Sequence, residues 1–133
     1  MKKLIVLSIL FCCYFHSFSQ NNHKLSSIDF VEVVNNNHAE TLFYYQNNWK
    51  ALRESALKKG YIESYNLLEI EPSEATPYHF ILITTYGNKE QYDNRENHFQ
   101  ELIKASGGLK LLNDKEPADF RNIIHGQDPV TNR

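Results

Sequence analysis

The chain has 133 residues, enough for one domain around one hydrophobic core. Its 41% hydrophobic and 23% charged content is that of an ordinary globular protein. With 14 basic against 16 acidic residues it holds no excess of positive charge to meet phosphates, which excludes an electrostatic nucleic-acid binder.

The first segment has the form of a cleaved signal peptide. Lys2 and Lys3 precede an apolar stretch from Leu4 to Phe15, and Ser17-Phe18-Ser19 places small residues at the spacing a signal peptidase reads. The stretch is shorter than the roughly 20 residues that span a bilayer. Phe11 stands before Cys12, where a lipoprotein signal needs a small residue. The expected division is a signal over 1–19, a disordered leader over 20–26, a folded domain over 27–126 and a frayed tail over 127–133. The product is expected in the periplasm or outside the cell, with no membrane attachment. Cys12 and Cys13 leave with the signal, so the remaining chain has no thiol, disulfide or cysteine nucleophile. Loss of Lys2 and Lys3 leaves 12 basic against 16 acidic residues, a net charge near −4.

Ile28 to Val34 is rich in β-branched residues and predicts a first strand. Asn35-Asn36-Asn37 makes a turn, and one of these asparagines caps the helix predicted from His38 to Lys59. Leu42, Tyr45, Trp49, Leu52 and Ala56 recur at spacings of three and four and form one apolar stripe. Gln46, Lys50, Arg53 and Glu54 fall mostly away from it. Phe43 and Tyr44 widen the apolar surface, which suits a broad core-facing side or a contact with another protein. Lys58 and Lys59 favour the helix C-terminus, and Gly60 supplies its left-handed stop.

A second strand is predicted from Tyr61 to Ile70, with polar residues interleaved as on a sheet edge. Pro72 and Pro77 bracket a connection to a third strand, Tyr78 to Tyr86. Its run Tyr78-His79-Phe80-Ile81-Leu82-Ile83 hardly alternates, so both faces of that strand are expected to be covered. Asn88 then caps a second helix over about 89–105, which Ser106-Gly107-Gly108 breaks. Phe120 to His125 reads as a fourth strand, with a short helix from Pro117 as the alternative.

The order β-α-β-β-α-β is the ferredoxin-like α+β plan: an antiparallel sheet ordered 4-1-3-2, with two helices on one face. The central place of the third strand and the edge place of the second agree with their apolar and mixed compositions. Since helices cover one face only, the apolar residues on the other require a partner. The economical partner is a second copy, sheet face against sheet face, closing a dimeric α+β barrel.

This plan, the Trp-bearing first helix (residues 40–54, with Asn47-Asn48-Trp49-Lys50) and the strand YHFILITTYGNKEQYD resemble the dimeric α+β barrel superfamily. That group includes antibiotic-biosynthesis-monooxygenase-like, EthD-like, NIPSNAP-like and stress-responsive barrel domains. The segments Asn47 to Lys50, Lys59 to Ile62 and Leu111 to Arg121 are also similar to those of exported Bacteroidetes-type bacterial proteins. The resemblance spans most of residues 27–125 and implies a fold rather than a reaction, because members differ in chemistry.

No GxGxxG, phosphate-binding GxxxxGK or GxSxG motif occurs. The histidines that survive processing, His23, His38, His79, His98 and His125, show none of the HxH, HxxxH or HExxH spacings of a preformed metal site. Neither a metal nor another cofactor is expected. His79 lies at the start of the central strand, on the side of Ile81 and Ile83, where it could act as a base or orient a ligand in a barrel lumen. Its alternative is a hydrogen-bonded histidine at the strand entrance. Glu63 is the candidate carboxylate base if buried, and an edge-protecting charge if exposed. Tyr65, Asn66, Ile81 and Ile83 complete the candidate ligand-binding set. The leading expectation is a secreted homodimer that binds a small apolar or aromatic molecule. A cofactor-independent monooxygenase-like enzyme and a purely structural or protein-interaction domain are the alternatives.

Overall fold

The computed structural model describes residues 23–132. The expected signal peptide lies outside them. Four strands form one antiparallel sheet: β1 (Leu25–Val33), β2 (Ser64–Glu69), β3 (Phe80–Tyr86) and β4 (Arg121–Thr131). Their order is β2-β3-β1-β4. The long helix between β1 and β2 comprises α1 (His38–Tyr44), a π-helical segment (Tyr45–Lys50) and α2 (Ala51–Lys58). After β3 come α3 (Lys89–Asp93), α4 (Arg95–Ala105) and the single turn α5 (Pro117–Phe120).

The helices stack on one sheet face. Register makes this explicit, because directly paired residues point to the same side. Val31 pairs with Phe80 and Asp29 with Leu82, and these face the helices. Phe30 pairs with Ile81 and Ile28 with Ile83, and these face away. One core cluster joins Val31, Phe80 and Leu82 to Tyr45 and Trp49. A second joins Tyr86 and Ile62 to Ala56 and Leu102. The stripe at 45, 49, 52 and 56 is therefore the inward side of the first helix.

Local chemistry sets the element ends. Gly60, at φ +71°, allows the paired bonds Gly60 N to Leu57 O (3.1 Å) and Tyr61 N to Ala56 O (2.9 Å), which close the last turn of α2. The Asn88 side chain accepts from Gln91 N (2.8 Å) and starts α3. Asn37, in contrast, does not cap α1 with its side chain. Its amide donates to Asp119 O (3.0 Å) and its oxygen accepts from Lys115 Nζ (2.5 Å), tying the turn to the α5 region. The fully buried Thr41 hydroxyl lies 2.8 Å from Asn37 O and 2.9 Å from Phe120 O, on the same seam.

Several boundaries differ from the expected ones. β1 begins at Leu25 inside the expected leader, and β4 continues to Thr131 through the expected frayed end, because these two ends pair with each other. The expected helix over 89–105 is divided at Asn94. The two readings of the C-terminal segment are both realised in succession: Pro117 opens a helical turn and the chain then enters β4.

Candidate functional site

A cavity of about 690 Å³ lies between the sheet and the first helix, beside β1 and β4. That volume suits a small organic ligand. Its existence begins with Asn47 and Asn48. Their side-chain amides donate to Phe43 O and Tyr44 O (2.9 Å each), four residues back, and so compete with the backbone N–H groups that an α-helix would direct there. The helix takes its π form across these positions, a local widening often found at functional sites. Asn48 also receives Lys110 N on its oxygen and donates to Lys110 O (2.8 Å each). This pair of hydrogen bonds holds the segment after α4 over the cavity. Gly107 and Gly108, at φ +81° and +106°, let the chain turn there.

The walls are largely apolar and aromatic, with Trp49, Leu52, Leu82 and Leu102 deep in the site. Ile103, Leu109 and Ile123 form an exposed apolar rim, at 54%, 55% and 52% exposure. Against this background three charged side chains stand out. The Arg53 guanidinium lies between the rings of Trp49 (4.5 Å to the centroid) and Phe99 (4.3 Å), and its Nε donates to Thr84 Oγ1 (3.2 Å). Burial lowers its pKa to about 10, still far above neutrality. Arg121 stacks over Tyr44 (4.9 Å), with Tyr45 at 5.7 Å. Among the described residues, its Nε and the Tyr45 hydroxyl are both buried without a geometric hydrogen-bond partner. Asp29 projects from β1 toward the same space; burial raises its pKa, partly offset by the charges of Arg53 and Arg121. Burial likewise raises the pKa of Tyr45. Among the described residues, neither arginine forms an ion pair with a cavity carboxylate.

The residues proposed from sequence lie outside the lining of this cavity. His79 sits just before β3, where its Nδ1 accepts from Val33 N (3.1 Å) and its own N–H donates to Val31 O (2.7 Å). It fastens the strand entrance. Glu63 pairs with Lys24 near the sheet edge, with Gly87 close against its carboxylate. Tyr65 faces the helices, touching Trp49 edge-on at 6.0 Å and Glu54 Oε1 at 3.4 Å. Asn66, Ile81 and Ile83 point to the opposite face. Tyr65 and Asn66 do border a shallow groove with Lys50 and Glu69 at the β2 edge. Among the described residues no group of three or more His, Cys, Asp or Glu could hold a metal ion.

Sequence reasoning passed over Asp29, Arg53 and Arg121. Two of these carried a signal. Asp29 is in phase with Val31 and Val33, a carboxylate on the inward side of an otherwise apolar strand. Arg53 continues the spacing Tyr45, Trp49 by four more residues and so belongs to the inward side of the helix, not away from it as expected. Arg121 had no comparable signal, because its inward position depends on the α5–β4 junction. No family model matches the chain, and neither the curated proteins nor the solved structures contain a significant match.

Proposed function

We propose that this chain is an exported ferredoxin-like module of the dimeric α+β barrel kind, which binds a small apolar or aromatic molecule in the cavity beneath its first helix. The cavity itself carries the reading. It is apolar, of ligand size, roofed by a tethered segment, and floored by a few polar groups whose bonding is incomplete. Trp49, the single tryptophan, lines it and serves as an internal reporter. Titration with naphthalene-type compounds is expected to change Trp49 emission saturably and to raise the melting temperature. Unchanged emission and melting across such a panel would refute the binding reading.

The same proposal includes pairing of two copies through the uncovered sheet face. Ile28, Phe30, Ile81 and Ile83 support it, together with an aromatic group in which Phe30 meets Tyr78 at 4.7 Å and His125 at 5.7 Å. Light scattering at micromolar concentration should return the mass of two chains; a single-chain mass there would sink the pairing.

An enzyme is the second reading, favoured by Asp29. A half-buried carboxylate with a raised pKa beside two guanidiniums is suited to accept a proton from a bound ligand. Cofactor-independent oxygenation is one such chemistry in barrel domains of this kind. Loss of any ligand-dependent turnover in Asp29→Asn, with ligand binding retained, is the expected result; turnover unaffected by that change would remove Asp29 from the role.

A further inference from the structure

We propose that the molecule taken into this cavity is an acid, an aromatic or apolar body bearing a carboxylate, and that Arg121 binds the carboxylate. The inference rests on the ligand-binding reading above and names the chemical class of the ligand. It follows from an imbalance at one end of the site. Arg121 offers a planar set of donors, yet among the described residues its one side-chain hydrogen bond is a long contact of 3.4 Å to the Tyr44 hydroxyl. Among the described residues its buried Nε has no acceptor, and the neighbouring buried Tyr45 hydroxyl has no partner besides Arg121 itself. Buried donors without acceptors are uncommon in folded proteins, and a charged one is the most costly kind. A carboxylate supplies what is missing: two oxygens whose spacing matches a guanidinium fork, with lone pairs to spare for a tyrosine hydroxyl.

Charge points the same way. Arg53 and Arg121 both line the cavity, and both lie within electrostatic reach of Asp29, its one carboxylate. Neither arginine comes within ion-pair distance of that carboxylate, and Lys59 (paired with Glu101) and Lys110 line the cavity as well, so positive groups outnumber the one carboxylate across a mostly apolar space. Arg53 is already engaged by two rings and by Thr84. It contributes field rather than a free hydrogen-bonding edge. Arg121 holds only the 3.4 Å contact to Tyr44 among the described residues. The walls of Trp49, Leu52, Leu82 and Leu102 define the remainder of the ligand as apolar or aromatic.

The test compares naphthalene-2-carboxylate with naphthalene-2-carboxamide, nearly identical in shape and different in charge, by titration calorimetry at pH 7. The acid is expected to bind the wild-type chain at least tenfold more tightly than the amide. In Arg121→Gln that preference should fall below about threefold while the amide's affinity is unchanged, and Arg121→Lys should recover part of it. Equal affinities in the wild type would overturn the assignment while leaving the cavity a ligand site. Binding of neither compound at millimolar concentration would overturn both. A tenfold preference retained in Arg121→Gln would overturn the assignment to Arg121, and if that variant fails to fold, an undiminished preference in Arg121→Lys would do the same.

Discussion

The two faces of the sheet are built from the same strands and have opposite fates. On the helix side, Val31 and Phe80 are both 0% exposed and sit within a continuous core. One residue along each strand, Phe30 and Ile81 are only partly buried and meet no second layer among the described residues. Equal hydrophobicity thus gives unequal burial. What decides is whether the chain has a helix to spend on that side, and both helical connections return over the same one. The helix side is also not uniformly filled. At the β1–β4 half the packing opens into the cavity, and there the inward positions carry Asp29, Arg53 and Arg121 in place of aliphatic side chains.

The sharpest way to break this contrast is to truncate matched residues on the two sides. Phe80→Ala is expected to cost about 3–5 kcal/mol in urea unfolding, from lost burial and the void left behind. A cost near 1 kcal/mol would mean that the helix layer is not the principal core. On the other face, Ile81→Glu is expected to leave the single chain folded by circular dichroism and to abolish the proposed pairing, so that melting no longer depends on protein concentration. Unfolding of the variant at all concentrations would show that this face is part of the intrachain core.

Smaller effects probe the connections that hold the helix layer in place. Thr41→Val removes the hydroxyl shared by Asn37 O and Phe120 O and should cost about 1–2 kcal/mol in the same unfolding assay, as expected for a buried hydrogen bond left half made. An unchanged midpoint would mean that these carbonyls find other partners.

The smallest effects are electrostatic, and their signs oppose one another. The Lys115 ammonium and the Asn113 amide hold the Glu40 carboxyl down to about 2. A depressed acid stabilises the fold fully above its ordinary value near 4.5, and that contribution disappears as pH falls toward about 2. Asp29 behaves in reverse: its pKa is raised, so its penalty is absent below the ordinary value of 3.8 and grows as pH rises through the folded one. Melting curves from pH 7 to pH 2 should therefore show wild type losing ground to Asp29→Asn at neutral pH, and to Glu40→Gln only at the acid end. The opposite order would show that the arginines, not burial, govern Asp29.

Much of the fold was legible because it is written in local periodicity. The Tyr45–Trp49–Ala56 spacing located the inward side of the first helix, Gly60 its end, Asn88 the start of α3, and the unbroken apolar run a strand between two others. The departures share one cause. Asn37 leaves its capping role for partners more than 75 residues away, and β1 and β4 lengthen because Leu25 and Thr131 happen to lie opposite each other. Neither event has a short-range signature. His79 stood out as a titratable group in an apolar run, but an imidazole that receives a backbone N–H at the end of a strand satisfies that pattern without any chemistry.

By itself, then, the amino-acid order determined most of the strands and helices and which apolar residues of the first helix turn inward, since propensity, capping and period act within a few residues. Only the tertiary structure decided where the chain leaves space. A cavity is made by what adjoining elements fail to fill: here a helix loosened by Asn47 and Asn48, a segment pinned by Asn48 to Lys110, and an arginine delivered by a helical turn at the far end of the chain. The segment at Lys110 lies 62 residues from Asn48 and Arg121 lies 77 from Tyr44, and the site exists only once the fold has brought them together.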